Sequence, residues 1–371
     1  MIARPAAPGA PKWNMNISCT RLRGKIRAAG KAKMKVEGVG RDSASGKTTT
    51  SGRRSPRLRH RIAWMYYVEQ MTQSAIADTL GIGRITVGRM LSEARAAHEV
   101  RISLTRDLAE LTEAEIGLQK RYDILEAIVA PVSATRSDPR AAIAAAAGIY
   151  ISDVLRPNMK IGLGWGQTLL ASLPFLQERE VPGLAVVSLL GGVMRARQAN
   201  PAEFAALFAR FVLADCYLLA APAIVDSART KQTLIERCGL SEVYEFSKSL
   251  NAVVVSVGEI GPNSTASLFG AVSAADTAAL REAGAVGDML FNFFDINGKL
   301  VDHPLNSRTM SIPIETIAKA PIRVLVAGGT HKVEAMQGAF KLFRPTVVVT
   351  DEFTARALLK YARGQRKAAS G

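Results

Sequence analysis

The stretch MTQSAIADTLGIGRITVGRMLSEAR, residues 71–95, has the apolar spacing of two short helices that cross at a tight glycine turn. Ala77 is small where the helices must approach, and Gly81 follows four residues later where the chain must turn. Ile76, Leu80, Ile82, Val87 and Met90 supply the apolar contacts between them. Thr72 fits the N-cap of the first helix, because its hydroxyl can accept from an unpaired backbone N–H. This is the pattern of a helix-turn-helix, whose second helix, about Arg84 to Ala97, lies in the major groove of DNA with its N-terminal residues facing base edges. Arg84, Thr86 and Arg89 are the candidates for base or phosphate contacts, joined by Thr72 and Gln73 at the start of the first helix. Double-stranded operator DNA is the expected partner.

Toward the N-terminus the composition changes. The chain has a formal net charge of +16, yet residues 1–61 hold 16 Lys and Arg against only Glu37 and Asp42, which leaves the rest nearly neutral. Residues 1–57 are rich in Gly, Ser, Pro, Lys and Arg and lack apolar periodicity, so a disordered basic tail is expected there. Such a tail either adds salt-dependent phosphate contacts or is an upstream extension from an early start codon, with Met34 as a later candidate. Its GRDSASGKTT, residues 40–49, imitates a phosphate loop. Five residues rather than four separate Gly40 from Gly46, and no apolar strand precedes them, which argues against nucleotide hydrolysis.

Toward the C-terminus, VRISL at 100–104 reads as a short strand, and Leu108 to Tyr122 as an amphipathic connecting or dimer-forming helix. The runs ILEAIVA, MKIGLGW, LAVVSLLGG, CYLLAAP, AVVVSVG, IRVLVAGG and PTVVVTD then recur with helical segments between them. Continuous β-branched runs alternating with helices predict an α/β fold, a doubly wound and mostly parallel sheet covered on both faces. The expected division is a tail at 1–57, a helix-turn-helix domain at 58–105, a linker helix at 106–122, an α/β domain at 123–362 and a basic C-terminal tail at 363–371. No apolar run reaches the ~18 residues of a membrane span, since Glu203, Arg210 and Asp215 interrupt the longest candidate. Without a signal peptide, and with Cys19, Cys216 and Cys238 scattered outside any metal-ligand spacing, a reduced cytoplasmic protein without metal or cofactor is expected.

Several of the strand runs end in glycine, and in open α/β sheets ligands bind at the carboxyl ends of the strands. GLGWGQT follows a strand and opens a helix, so N–H groups near Gly164, Gly166 and Gln167, with the Thr168 hydroxyl, can hold an anion or ligand hydroxyls. Gln167 stands where a dinucleotide fingerprint needs its third glycine. Trp165 either offers an apolar face to a sugar or packs the turn. Gly191 and Gly192 either let a ligand approach the next strand end or serve the turn, and Asn200 either reaches a hydroxyl or caps the helix that begins at Pro201. His303 and His331 fit turn or solvent-facing roles.

Residues 58 to about 359 resemble the SorC branch of the SorC/DeoR sugar-binding transcriptional regulators. The helix-turn-helix, IGLGWGQTL, LLGGV, GAVGDMLFNFFDINGKLVDHPLN, VAGGTHKVEA and VVVTDEFTARALL carry the resemblance, in family order. It implies an effector domain similar in fold to sugar-phosphate isomerases, in a dimeric or tetrameric regulator whose operator affinity responds to a sugar, polyol or sugar phosphate. It also implies that Lys332 meets the ligand's phosphate or hydroxyls. Asp288 and Asp295 fall in the family's acidic segment, where Asp295 either accepts from ligand hydroxyls or holds the FDINGK turn. Two departures stand out. Gly83 and Gly88 occupy positions where relatives usually carry serine, and a glycine inside a helix costs about 1 kcal/mol relative to alanine. Gln167 replaces a stronger anion partner, which favours a neutral polyol or sugar, while Lys332, Arg195 and Arg197 keep a phosphate open. The alternative is an isomerase-like enzyme with an appended DNA-binding module, opposed by the lack of an evident histidine and carboxylate cluster.

Overall fold

The computed structural model describes residues 55–97, 99–100, 113–132, 138–193, 200–262, 264–268 and 270–369. The basic tail up to residue 54, the VRISL run beyond Val100, Arg195 and Arg197 lie outside the described residues.

Three helices, α1 (Ser55–Tyr67), α2 (Gln73–Leu80) and α3 (Arg84–Ala96), form the helix-turn-helix unit. The Thr72 hydroxyl accepts from Ala75 N at 3.2 Å, and Gly81 closes α2 in the left-handed conformation at φ 64°. Ile62, Met65, Ile76, Ala77, Val87, Met90, Leu91 and Ala94 are buried together as a separate small core. Gly83 caps α3 without a side-chain hydrogen bond.

Seven parallel strands build the main sheet: β1 (Glu126–Ala130), β2 (Lys160–Leu163), β3 (Ala185–Ser188), β4 (Asp215–Tyr217), β5 (Ala252–Val255), β9 (Ile322–Val326) and β10 (Val347–Asp351). Each comes from one of the seven apolar runs. The spatial order is β1, β10, β9, β5, β2, β3, β4. Side chains alternate between two cores: Val253, Val255, Leu325 and Val348 pack on one face, and Val254, Val324, Val326, Val347 and Val349 on the other. Burial on both faces is why these strands read as unbroken apolar runs.

From β2 the chain steps outward through β3 to β4, then returns to lay β5 against the opposite side of β2 and steps away through β9 and β10. The winding therefore reverses between β2 and β5. A crevice at the carboxyl ends of the strands is expected at such a reversal.

Two features depart from the sequence reading. The helix Glu113–Tyr122, within the stretch expected as a connecting or dimer-forming helix, is docked on the sheet domain. Leu118 is fully buried in the main core, Glu115 accepts from Val129 N at 3.0 Å, and the Tyr122 hydroxyl donates to the Leu358 carbonyl at 3.1 Å. The second feature is a small antiparallel sheet of β6 (Gly258–Glu259), β7 (Gly287–Met289) and β8 (Asn292–Phe294). Its β7–β8 hairpin turns through Leu290 and Phe291 at φ 54° and 57°. Positive φ at both central residues is the demand usually met by Asn-Gly, and for bulky residues it is strained. Hydrogen bonds hold it: Phe291 N donates to Asp288 Oδ2 at 3.1 Å, and Asn292 Nδ2 donates to the Leu290 carbonyl at 3.0 Å and to Ser311 Oγ at 2.9 Å.

Candidate functional site

At the reversal between β2 and β5 lies a cavity of about 180 Å3. Trp165, Gly166, Gln167 and Thr168 line it from the segment after β2, and Ser256, Val257, Gly258 and Glu259 from that after β5. His331 and Lys332 follow β9, Asp288, Leu290 and Phe291 come from the strained hairpin, and Arg140 from the helix Arg140–Val154. The cavity is small beside the clefts of roughly 300–1,000 Å3 that take drug-sized ligands, which suits a compact polar molecule.

The charged groups face each other across this space. The Lys332 ammonium makes no hydrogen bond or ion pair among the described residues. Burial pushes it below the usual lysine range, against the pull of Glu259 and Asp288. Burial pushes the Asp288 carboxyl up to about 6, opposed by the Phe291 N–H and by Lys332. Glu259 Oε2 lies 3.0 Å from His331 Nε2 at the rim. Arg140 pairs with Asp138 at 3.5 Å. The wall thus offers cations and carboxylates within one small volume, matching a ligand dense in hydroxyls, with or without an anionic group.

The structure sorts the sequence candidates. Trp165, Gln167, Thr168 and Lys332 converge on the cavity. Trp165 does so as a packed wall, 9 % exposed, with its ring edge-to-face on Phe291 at 5.4 Å. The Gly164 N–H, expected to face a ligand, instead donates to the Val254 carbonyl at 2.8 Å as part of the sheet. Because the helix Gln167–Ser172 has only six residues, positive charge for an anion has to come mainly from Lys332 and Arg140.

Gly191, Gly192, Asn200 and Asp295 do not line the cavity. Gly191 N donates to Met310 O at 2.9 Å and Gly192 N to Ala221 O at 2.8 Å, so backbone pairing occupies that strand end. Asn200 Nδ2 donates to the Val193 carbonyl at 2.8 Å, just before the helix Pro201–Phe211. Asp295 Oδ1 accepts from Asn297 N and Lys299 N, both at 2.9 Å, which is the turn role. Asp288 is the acidic residue that reaches the cavity instead, because it sits inside a strand whose side chain turns inward. The reading also missed Arg140, Ser256, Glu259, Ser264 and Thr265. The glycine closing AVVVSVG pointed to this strand end, whereas nothing in the sequence pointed to Arg140. His331, expected in a turn or solvent, lines the cavity rim, while His303 Nδ1 accepts from Leu305 N at 3.3 Å in a turn.

On the helix-turn-helix unit, Arg84 and Arg89 are exposed on α3, with Arg89 Nε 3.6 Å from Glu93 Oε1. Thr72, Gln73 and Arg84 share a shallow notch with Tyr66 and Tyr67, two residues the sequence reading did not select. An anion in that notch meets the first turn of α2 and the Arg84 guanidinium, the arrangement by which such units grip a phosphate.

Comparison with known proteins supplies the family. Residues 106–360 match the model described as "Putative sugar-binding domain". The chain is 28 % identical over 307 residues to the erythritol catabolism regulatory protein EryD of Brucella abortus, covering 82 % of this chain and 97 % of that protein. It is 27 % identical over 310 residues to the sorbitol operon regulator of Klebsiella pneumoniae, covering 82 % and 98 %. The crystal structure of the full-length sorbitol operon regulator SorC from Klebsiella pneumoniae superposes with a TM-score of 0.62 at 25 % identity, again over 82 % of this chain and 98 % of that one. A DeoR-family regulator from Listeria monocytogenes, at 22 % identity and a TM-score of 0.62, shares the fold. With a family match over well over half its length, an α/β sheet wound around a switch-point cavity and a helix-turn-helix ahead of it, this chain belongs to the sugar-binding-domain family, in the SorC/DeoR group of transcriptional regulators.

Proposed function

We propose that this protein is a DNA-binding transcriptional regulator of a carbohydrate or polyol operon, and that a sugar, polyol or sugar phosphate in the switch-point cavity sets its operator affinity. The observation that carries the reading is one chain bearing both a helix-turn-helix with exposed arginines and a partly open polar cavity lined by a buried lysine that makes no ion pair among the described residues. Relatives named as regulators of erythritol catabolism and of a sorbitol operon support it. Trp165, Gln167, Thr168, Asp288 and Lys332 hold the effector, with Lys332 on its anionic group or a hydroxyl. Thr72, Gln73, Arg84, Thr86 and Arg89 hold DNA. The protein acts in the cytoplasm as a homo-oligomer, a dimer or tetramer, and two recognition helices about one DNA turn apart, or a multiple of it, call for an inverted-repeat operator. Ligand works by binding the DNA-competent and DNA-incompetent arrangements with different affinity, a coupling of about 1–3 kcal/mol.

The test is binding to the DNA upstream of the protein's own coding sequence, at several salt concentrations, with and without a panel of sugars, polyols and sugar phosphates. Arg89→Ala is expected to weaken operator binding about tenfold and to leave effector binding unchanged. Lys332→Ala is expected to weaken the effector response about tenfold to a hundredfold and to leave effector-free DNA binding unchanged. Equal loss of both activities in either variant contradicts this division of labour. The His331–Glu259 pair at the rim favours the isomerase-like alternative, because it supplies a histidine and a carboxylate within proton-transfer reach. Turnover of any aldose or ketose phosphate by the purified protein decides for that alternative.

A further inference from the structure

The recognition helix α3 has an inner stripe of Val87, Met90, Leu91 and Ala94, all buried in the small core. Its outer stripe runs through Ile85, Arg89 and Ser92, four and three residues apart on one face. Arginine and serine suit such a face, whereas isoleucine does not. Ile85 is nevertheless 90 % exposed, the most exposed large apolar side chain among the described residues.

Its surroundings define what can cover it. Arg84 precedes it and Arg89 lies one turn on, both exposed, so the occupant is anionic. Gly83 and Gly88 flank it without side chains. A Cβ at Gly88 would meet only Gln73 Oε1, at 3.6 Å, so the glycine is not required by packing. Gly88, one turn on from Ile85, adds no side chain beside it. A polyanion that also presents a methyl group to the first turn of a recognition helix is the major groove of DNA at a thymine, whose C5 methyl is the apolar mark of that base.

We propose that Ile85 reads a thymine methyl in the operator, so that this chain specifies one A·T pair by apolar contact. The assignment rests on the regulator reading above.

The experiment measures binding to the upstream fragment after each thymine of the protected half-site is replaced singly by uracil, which removes the C5 methyl and keeps the Watson–Crick pairing. The native protein should lose about fourfold at one position, the worth of one buried methyl. Ile85→Ala should bind the native fragment more weakly by a similar factor and be indifferent to uracil at that same position. Because Ile85 lies outside the buried core, this variant should keep the far-ultraviolet circular dichroism of the native protein. Indifference of the native protein to every thymine methyl, or unchanged sensitivity in Ile85→Ala, overturns the assignment and leaves the regulator reading standing. No preference for the native fragment over a scrambled one overturns both.

Discussion

Asp288→Asn is expected to stabilise the folded protein at pH 8 by about 3 kcal/mol and to have no effect at pH 3, the figure being the worth of moving a carboxyl from its ordinary 3.8 to about 6. The folded state holds the proton of Asp288 more tightly than the unfolded state does. Its contribution is therefore fully present below pH 3.8 and is lost as pH rises through about 6, where a buried carboxylate has to be carried. Asparagine removes that burden and can still accept from Phe291 N, which lies 3.1 Å from Asp288 Oδ2. Urea unfolding of both proteins across this pH range measures it. A variant less stable than the native protein at pH 8 would show that Lys332 compensates the carboxylate fully. The same substitution should weaken the effector response, which would mark Asp288 as a group kept for binding at the expense of stability.

Phe291→Ala is expected to destabilise the protein by about 3–5 kcal/mol, the usual loss for a buried phenylalanine. Phe291 is 1 % exposed and packs edge-to-face on Trp165, so its removal also loosens the cavity wall. The backbone adds a sharper expectation. At φ 57° alanine is as strained as phenylalanine, whereas glycine is not, so Phe291→Gly should be the more stable of the two variants by about 1 kcal/mol. In ordinary helix or strand positions the order is the reverse. Thermal and urea unfolding of the pair decide it, and a glycine variant less stable than the alanine one would show that the hairpin carries no such strain.

That hairpin also marks the limit of what was legible in the sequence. The inner strands of the main sheet could be read because they are buried on both faces, and burial on both faces writes an unbroken run of apolar residues, whereas the exposed edge strand β4 was betrayed by the apolar run that follows it. The turn at Leu290 and Phe291 could not, because its left-handed conformation is imposed by Asp288, Asn292 and Ser311 rather than announced by Asn-Gly. That silence carried over to the site. Of the two alternatives for Asp295 in the acidic segment, ligand acceptor or holder of the FDINGK turn, the turn is what engages its carboxylate, while Asp288 faces the cavity from a strand only three residues long. Gly191 and Gly192 share the glycine-rich strand end seen after β2, yet pairing with Ala221 and Met310 occupies their N–H groups. Arg140 comes from a helix distant in sequence, so only the tertiary fold could bring it in. Lys332 was legible because it follows a glycine-rich strand end.

The cavity wall is assembled from Arg140, the turn after β2, the strand end after β5, Ser264 and the short helix Thr265–Leu268, the β7–β8 hairpin and the turn after β9, segments spread over most of the α/β domain. A ligand that needs all of them together, as the proposed effector would, binds the native state in preference to the unfolded chain. Linkage then makes the ligand a stabiliser of the domain, by about 2.7 kcal/mol at a hundred times its Kd. The melting temperature of the protein is thus expected to report occupancy, so that the proposed effector can be sought among unlabelled sugars and polyols before any operator sequence is known.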